Sequence, residues 1–289
     1  MSQPLARDTT SSAETRQIEF FRARTPEMRL ALAFELTAFA VAASRAAIRR
    51  AHPHLSELEH ARLLVALQFD PQRAAQIRRA PSLEGTVAFP AAIIPVADAF
   101  DQIQVPYYIT GSIAGTAYSL PRTTNDVDIV AALQARHVDA FVSMLESDYY
   151  VDRSSVLEAI ARHGSFNMTH QATGINIDVF IPADRPFDRE QFARARGYVL
   201  PGVAREVNLA SAEDVLLNKL RWYELGNRVS DVQWRDVQSI IRVQGENLDI
   251  SYMRRWAADL NLGGLLEAAL RGERPTSTEP NGARQDELF

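Results

Sequence analysis

The chain has no cysteine among its 289 residues. Disulfides and thiolate metal sites are therefore excluded, and nothing in the composition points to secretion. There is also no uninterrupted apolar run of about 18 residues, so no membrane span is expected. The most apolar window, LALAFELTAFAV at residues 30–41, carries Glu35 and is flanked by arginines, so it reads as one buried face of a helix. The polar start, MSQPLARDTTSSAETRQ, lacks the apolar centre of a signal peptide. No repeat period is visible. An excess of positive charge is missing too. A formal net charge of -5 and a pI near 5.7 argue against a nucleic-acid surface built from overall charge, leaving only a local basic patch open. Small-molecule or protein partners and a cytoplasmic location fit what remains.

What is present is an ordinary globular composition, 46% hydrophobic and 23% charged, in a chain long enough for two domains. A helical module comes first. Thr25-Pro26-Glu27 combines a capping hydroxyl, a proline suited to the first helical position and an acid for the first turn. The helix it opens should run to about residue 50, after a shorter one at 14–24 and a disordered start. Ser56 and Glu59 form a capping-box pair for a further helix, and Pro71 opens another to residue 79. His52, His54 and His60 match no metal-ligand spacing and read as solvated.

The chain is organised around residues 105–130, where VPYYIT and DVDIV bracket GSIAGTAYSLPRTTN. Two β-rich runs enclose a Gly-Ser turn and a short helical segment. Side chains two apart in a strand point the same way, so Asp126 and Asp128 share a face. Two anions so placed repel by about 1–4 kcal/mol, depending on the effective dielectric, and call for a cation. Oxygen ligands without Cys or His favour Mg²⁺, which takes one or two carboxylates and completes its shell with phosphates and water. At the turn, Gly111 and Ser112 would let a phosphate approach the backbone, and a helix starting there aims free N–H groups at it. Farther on, GINIDVFI alternates as a strand with Asp178 opposite its isoleucines, a third carboxylate. Its partner is the strand at 164–170. Two short strands around Pro201-Gly202 and a series of helices from Ser211 to residue 271 follow.

This order of strand, Gly-Ser turn, helix, D-x-D strand and later single-Asp strand resembles the nucleotidyltransferase superfamily typified by DNA polymerase beta, over about residues 87–243. The resemblance implies an α+β core, a mixed sheet flanked by helices. It also implies a two-metal mechanism. Asp126 and Asp128 would hold Mg²⁺ on the triphosphate, Asp178 would help bind one ion and activate the acceptor hydroxyl, and Gly111 and Ser112 would grip the β- and γ-phosphates. Within the superfamily, PRTTNDVDIV is similar to the R-x-T-x-D-x-D signature of nucleotidyltransferase-like modules in bacterial toxin-antitoxin systems, through Arg122, Thr124, Asp126 and Asp128. EDVLLNKL resembles their lysine-bearing helix through Lys219, and RVSDVQWRDV a segment with Arg228 and Asp231. Asn218 and Ser230 depart from that pattern.

Several of these residues have two readings. Lys219 is a phosphate ligand or a helix-surface residue, and Arg122 grips the triphosphate or neutralises the aspartates. Asp231 and Asp236 belong to the site or cap and solubilise a helix. Trp222 and Tyr223 read as core rather than as a platform for a base. The expectation is an Mg²⁺-dependent transferase of an NMP group from an NTP, with ATP the expected donor, to a hydroxyl on RNA, protein or a small molecule. The alternative is a non-catalytic nucleotide- or partner-binding component of a toxin-antitoxin pair, with the N-terminal helices docking a protein. The expected divisions are a helical module over 1–82, the nucleotidyltransferase core over 83–210, a helical segment over 211–272 and a disordered tail over 273–289.

Overall fold

The computed structural model describes residues 9–82 and 85–275. The expected disordered start and tail lie largely outside that range. Helices α1 (Ser11–Arg22), α2 (Pro26–Ala51), α3 (Glu57–Gln68) and α4 (Pro71–Ala75) come first. Their starts follow the sequence signals. Thr25 accepts from the Met28 N–H, and Ser56 and Glu59 form a reciprocal capping box. By length and composition, α2 could cross a membrane, because Glu35 interrupts an apolar run without lowering the average much. Here its Leu30, Ala33 and Phe34 are buried in the protein, while Met28, Leu36 and Phe39 are exposed. Helix α4 stops at Ala75 rather than continuing to residue 79, and the next residue, Gln76, turns to the sheet.

The remaining elements are α5 (Ala88–Gln102), β1 (Tyr107–Thr110), α6 (Gly111–Tyr118), β2 (Asp126–Ala131), α7 (Val138–Leu145), β3 (Tyr149–Tyr150), α8 (Arg153–Arg162), β4 (Ser165–His170), β5 (Asn176–Phe180), α9 (Pro186–Arg194), β6 (Arg196–Val199), β7 (Glu206–Leu209), α10 (Ala212–Leu225), α11 (Asp231–Gln244), α12 (Ile250–Asp259) and α13 (Gly263–Arg271). The fold is α+β, with one seven-stranded mixed sheet in the order β3-β4-β5-β2-β1-β7-β6. Strand β1 is buried along its whole length, as an aromatic and β-branched run in a central strand should be. It pairs antiparallel with β2 and parallel with β7. Strand β2 pairs parallel with β5, and β5 antiparallel with β4. Helix α9 carries only two large apolar residues, Phe187 and Phe192, so no helical periodicity announces it; a backbone bond from Arg185 to the Asp188 carboxylate, 2.9 Å, starts it.

One contiguous core joins the sheet to its helices, with Phe100 stacked on Phe141 at 4.9 Å. Leu30 and Phe34 of α2 belong to that core, so α2 packs in one body with the sheet. A small satellite cluster, Ala61, Val65, Ala74 and Ile77, ties α3 to α4.

Candidate active site

The site follows from strand register. Parallel pairing sets Asp128 of β2 directly beside Asp178 of β5, and Asp126 beside Asn176. Neighbouring strands lie about 4.8 Å apart and in-register side chains share a face, so residues separated by half the core become adjacent. One carboxylate oxygen from each of Asp126, Asp128 and Asp178 lies within 4.8 Å of the others. Two ligands of one Mg²⁺ lie at most about 4.2 Å apart, twice the usual bond length. The three acids thus need only small rotamer changes to share a hard cation, and their oxygen-only chemistry fits one.

The charges register this crowding. Burial first, then the neighbouring Asp126 and Asp178 carboxylates, push Asp128 up to about 7. Burial also raises Asp178, while the Arg73 guanidinium and an Asn176 hydrogen bond pull it part of the way back.

On the other side of β2, antiparallel pairing sets Thr110 opposite Asp128, so the turn into α6 meets the acids. Gly111 has φ +62°, and a Cβ there would lie 1.7 Å from Asp128 Oδ2. Only glycine fits, on conformational and steric grounds alike. Helix α6 has no cap from the Thr110 side chain; instead the Ser112 backbone N–H donates to the Asp128 carboxylate, tying the start of the helix to the acids. Gly111, Ser112, the three aspartates and Lys219 line a cleft of about 300 Å³.

Lys219, the only lysine in the chain, is buried. Its ammonium donates to Asp236 at 2.7 Å, and its stem passes 3.2 Å from where a Cβ would stand on Gly115. Arg122 pairs with the same Asp236 at 2.9 Å and donates to Ser112 Oγ at 2.6 Å. Burial pushes Asp236 up, but Lys219 and Arg122 outweigh it and hold the carboxyl below its ordinary value. Arg122 therefore neutralises Asp236, not the paired aspartates. Lys219 is no surface residue, and Asp236 is the hub that joins α11, α10 and the Gly-Ser turn. Its sequence signal is its place in a loosely matched segment.

Other expected residues stand elsewhere. Asp231 is exposed and pairs with Arg274 at 2.5 Å, outside the cleft. Thr124 is buried behind the acids; its hydroxyl donates to Asp126 at 3.3 Å, and its N–H donates to Thr37 Oγ1 of α2 at 3.1 Å. It lines a second, larger and mainly apolar cavity of about 430 Å³ between α2, α3 and the approach to β2. Tyr223 is core, but Trp222 lines the acidic cleft. Among the histidines, His60 is buried rather than solvated, with Nε2 2.8 Å from the His52 carbonyl.

One contact at the site has no counterpart in the motifs. Arg73, from α4, reaches both oxygens of Asp178 at 3.2 and 3.4 Å. The two residues lie 105 positions apart, and no local pattern announces such a pair.

Residues 22–79 match the model of a family described as Rv0078B-related antitoxin. No curated protein matches the chain by sequence. Among solved structures, the chain is similar to an antigenic nucleotidyltransferase-like protein from Paracoccidioides brasiliensis, at 18% identity over 66% of this chain and 95% of that one, with a TM-score of 0.40. It is also similar to the antibiotic-resistance factor ANT(2'')-Ia, at 18% identity over 63% of this chain and 96% of that one, with a TM-score of 0.41.

Proposed function

We propose that this protein is a divalent-metal-dependent nucleotidyltransferase that moves an NMP group from an NTP, ATP foremost, to a hydroxyl acceptor in the cytoplasm. The observation that carries the reading is the β2–β5 register, which gathers Asp126, Asp128 and Asp178 opposite the Gly-Ser turn. Asp126, Asp128 and Asp178 are the residues that would hold Mg²⁺. The ion, when bound, supplies positive charge against the phosphates and the transition state.

In this reading the chain's own groups position and neutralise. The turn at Gly111 and Ser112 would lie beside the terminal phosphates, and Lys219 and Arg122 would add cationic charge there. Trp222 offers a ring wall to the base. The acceptor oxygen bonds to the α-phosphorus as the bond to the bridging oxygen breaks. Pyrophosphate leaves, and the acceptor's proton passes to the Asp178 carboxylate. Most of the acceleration comes from alignment and charge, as phosphoryl chemistry requires. Incubating the chain with α-labelled NTP, Mg²⁺ and cell extract is expected to label an acceptor, and Asp126→Asn or Asp128→Asn to lower labelling by at least about 10³-fold. Labelling unaffected by either change counts against the proposal.

The antitoxin-family match over residues 22–79 favours a second reading, a partner-binding or neutralising role for the N-terminal helices. A protein that co-purifies with the chain and stays bound when all three aspartates are changed to alanine would support it.

A further inference from the structure

We propose that Arg73 is a built-in competitor for the divalent ion, so that the N-terminal helices set whether the acidic site can be loaded. The inference rests on the metal-site reading above. Its observation is the guanidinium of α4 against both oxygens of Asp178, the carboxylate that completes the triad. A cation from the same chain thus already takes the place at which a third ligand would be offered.

The contact is held from several sides. Asp70 caps α4 by accepting from the Arg73 N–H at 2.8 Å, and its other carboxylate oxygen lies 3.7 Å from the Arg73 side chain. The guanidinium also sits over the Phe69 ring at 5.2 Å. Three residues on, Gln76 anchors α4 to the sheet, accepting from Thr169 Oγ1 at 2.6 Å and Asn167 Nδ2 at 3.0 Å. Asn167 is the β4 residue paired with Asp178, so the anchor and the acid share one register line. Ile77, fully buried in the satellite cluster, pins the next position. Arg73 is not a surface charge that happens to drift near an acid; α4 is docked so as to deliver it.

A guanidinium cannot be deprotonated at working pH and offers no ligand atom to a metal. To use Asp178, an ion must displace it, and the displacement weakens metal binding by the strength of the pair it breaks. Asp126 and Asp128 stay open to the cleft. Whatever lifts α4 from β4 would therefore raise metal affinity at a site it does not touch, which is coupling between two parts of one chain.

The test is Mn²⁺ binding to the full chain, read as free Mn²⁺ by electron paramagnetic resonance, with melting temperature in EDTA as the folding control. Arg73→Ala is expected to bind Mn²⁺ about tenfold more tightly than wild type, and Arg73→Lys, which keeps the charge, to stay within about threefold of wild type. Gln76→Ala, which loosens the anchor without touching the triad, is expected to tighten binding by a smaller factor, about threefold; it also serves if Arg73→Ala fails to fold. Unchanged or weaker Mn²⁺ binding in both Arg73→Ala and Gln76→Ala overturns the proposal. So does weaker binding of a non-hydrolysable NTP by Arg73→Ala at unchanged Mn²⁺ affinity, which would make Arg73 a phosphate ligand. If Mn²⁺ binds wild type and is lost in Asp128→Asn while Arg73→Ala changes nothing, the competitor fails and the metal site stands. If Mn²⁺ binds none of them, the metal-site reading fails and takes the competitor with it.

Discussion

Asp128 holds a proton up to about pH 7 because it is buried beside two like charges. The ordinary value is 3.8, so between these limits the folded state binds more protons than the unfolded one, and stability falls as pH rises through that window. Asp214, raised to about 6 chiefly by burial, acts in the same direction but lies outside the triad. A divalent ion substitutes for the proton within the triad, at Asp128 and at Asp178, which burial also raises, and not at Asp214. Saturating Mn²⁺ is therefore expected to raise the melting temperature more at pH 8 than at pH 6, measured against EDTA at each pH. A larger shift at pH 6 would contradict the coupling. At this scale much of the site was legible: D-x-D, the Gly-Ser turn and the lone strand Asp are local patterns. Asp231 and Asp236 show the limit. Both are acids five positions apart on one helix, and only packing determines that Asp236 faces Lys219 while Asp231 faces Arg274.

Helices α10 and α11 form a pair whose polar seam is Lys219–Asp236. The pair is buried on both sides, which costs desolvation, and Arg122 supplies the further donor that makes the burial tolerable. Removing one partner strands the other. Asp236→Ala is expected to cost about 3–5 kcal/mol in urea unfolding. Replacing both, as Lys219→Met with Asp236→Leu, should recover most of that loss. A cost below about 1 kcal/mol for Asp236→Ala would mean that water reaches the seam. Element starts with caps were readable from sequence, as at Thr25, Ser56 and Ser211. The end of α4 was not, because Gln76 leaves the helix for partners on β4, ninety or so residues away. Helix α9, with sparse apolar residues, depends on tertiary packing of Phe187 against Trp256 for its burial.

For the molecule as a whole, the question is whether the N-terminal helices are a detachable unit. Three sets of contacts argue that they are not. Leu30 and Phe34 sit in the same core as the sheet. Thr37 of α2 braces Thr124, just ahead of the paired aspartates. Helix α1 reaches across to α11, where Glu14 pairs with Arg242 at 2.7 Å and Arg22 donates to the Arg242 carbonyl. Deleting the helices would strip a central face of the core, so a truncated chain is a poor probe of partner binding. A single core substitution is cleaner. Leu30→Ala removes a side chain with no exposure at all and is expected to cost about 2–5 kcal/mol. The three tryptophans, Trp222, Trp234 and Trp256, all lie in the last third of the chain. If the helices and the sheet share one core, Leu30→Ala must lower the urea midpoint of tryptophan fluorescence and of far-ultraviolet circular dichroism together. A fluorescence midpoint that stays at the wild-type value while the dichroism splits into two steps would show two independently folding parts, and would remove the mechanical basis for α4 to govern the acidic cleft.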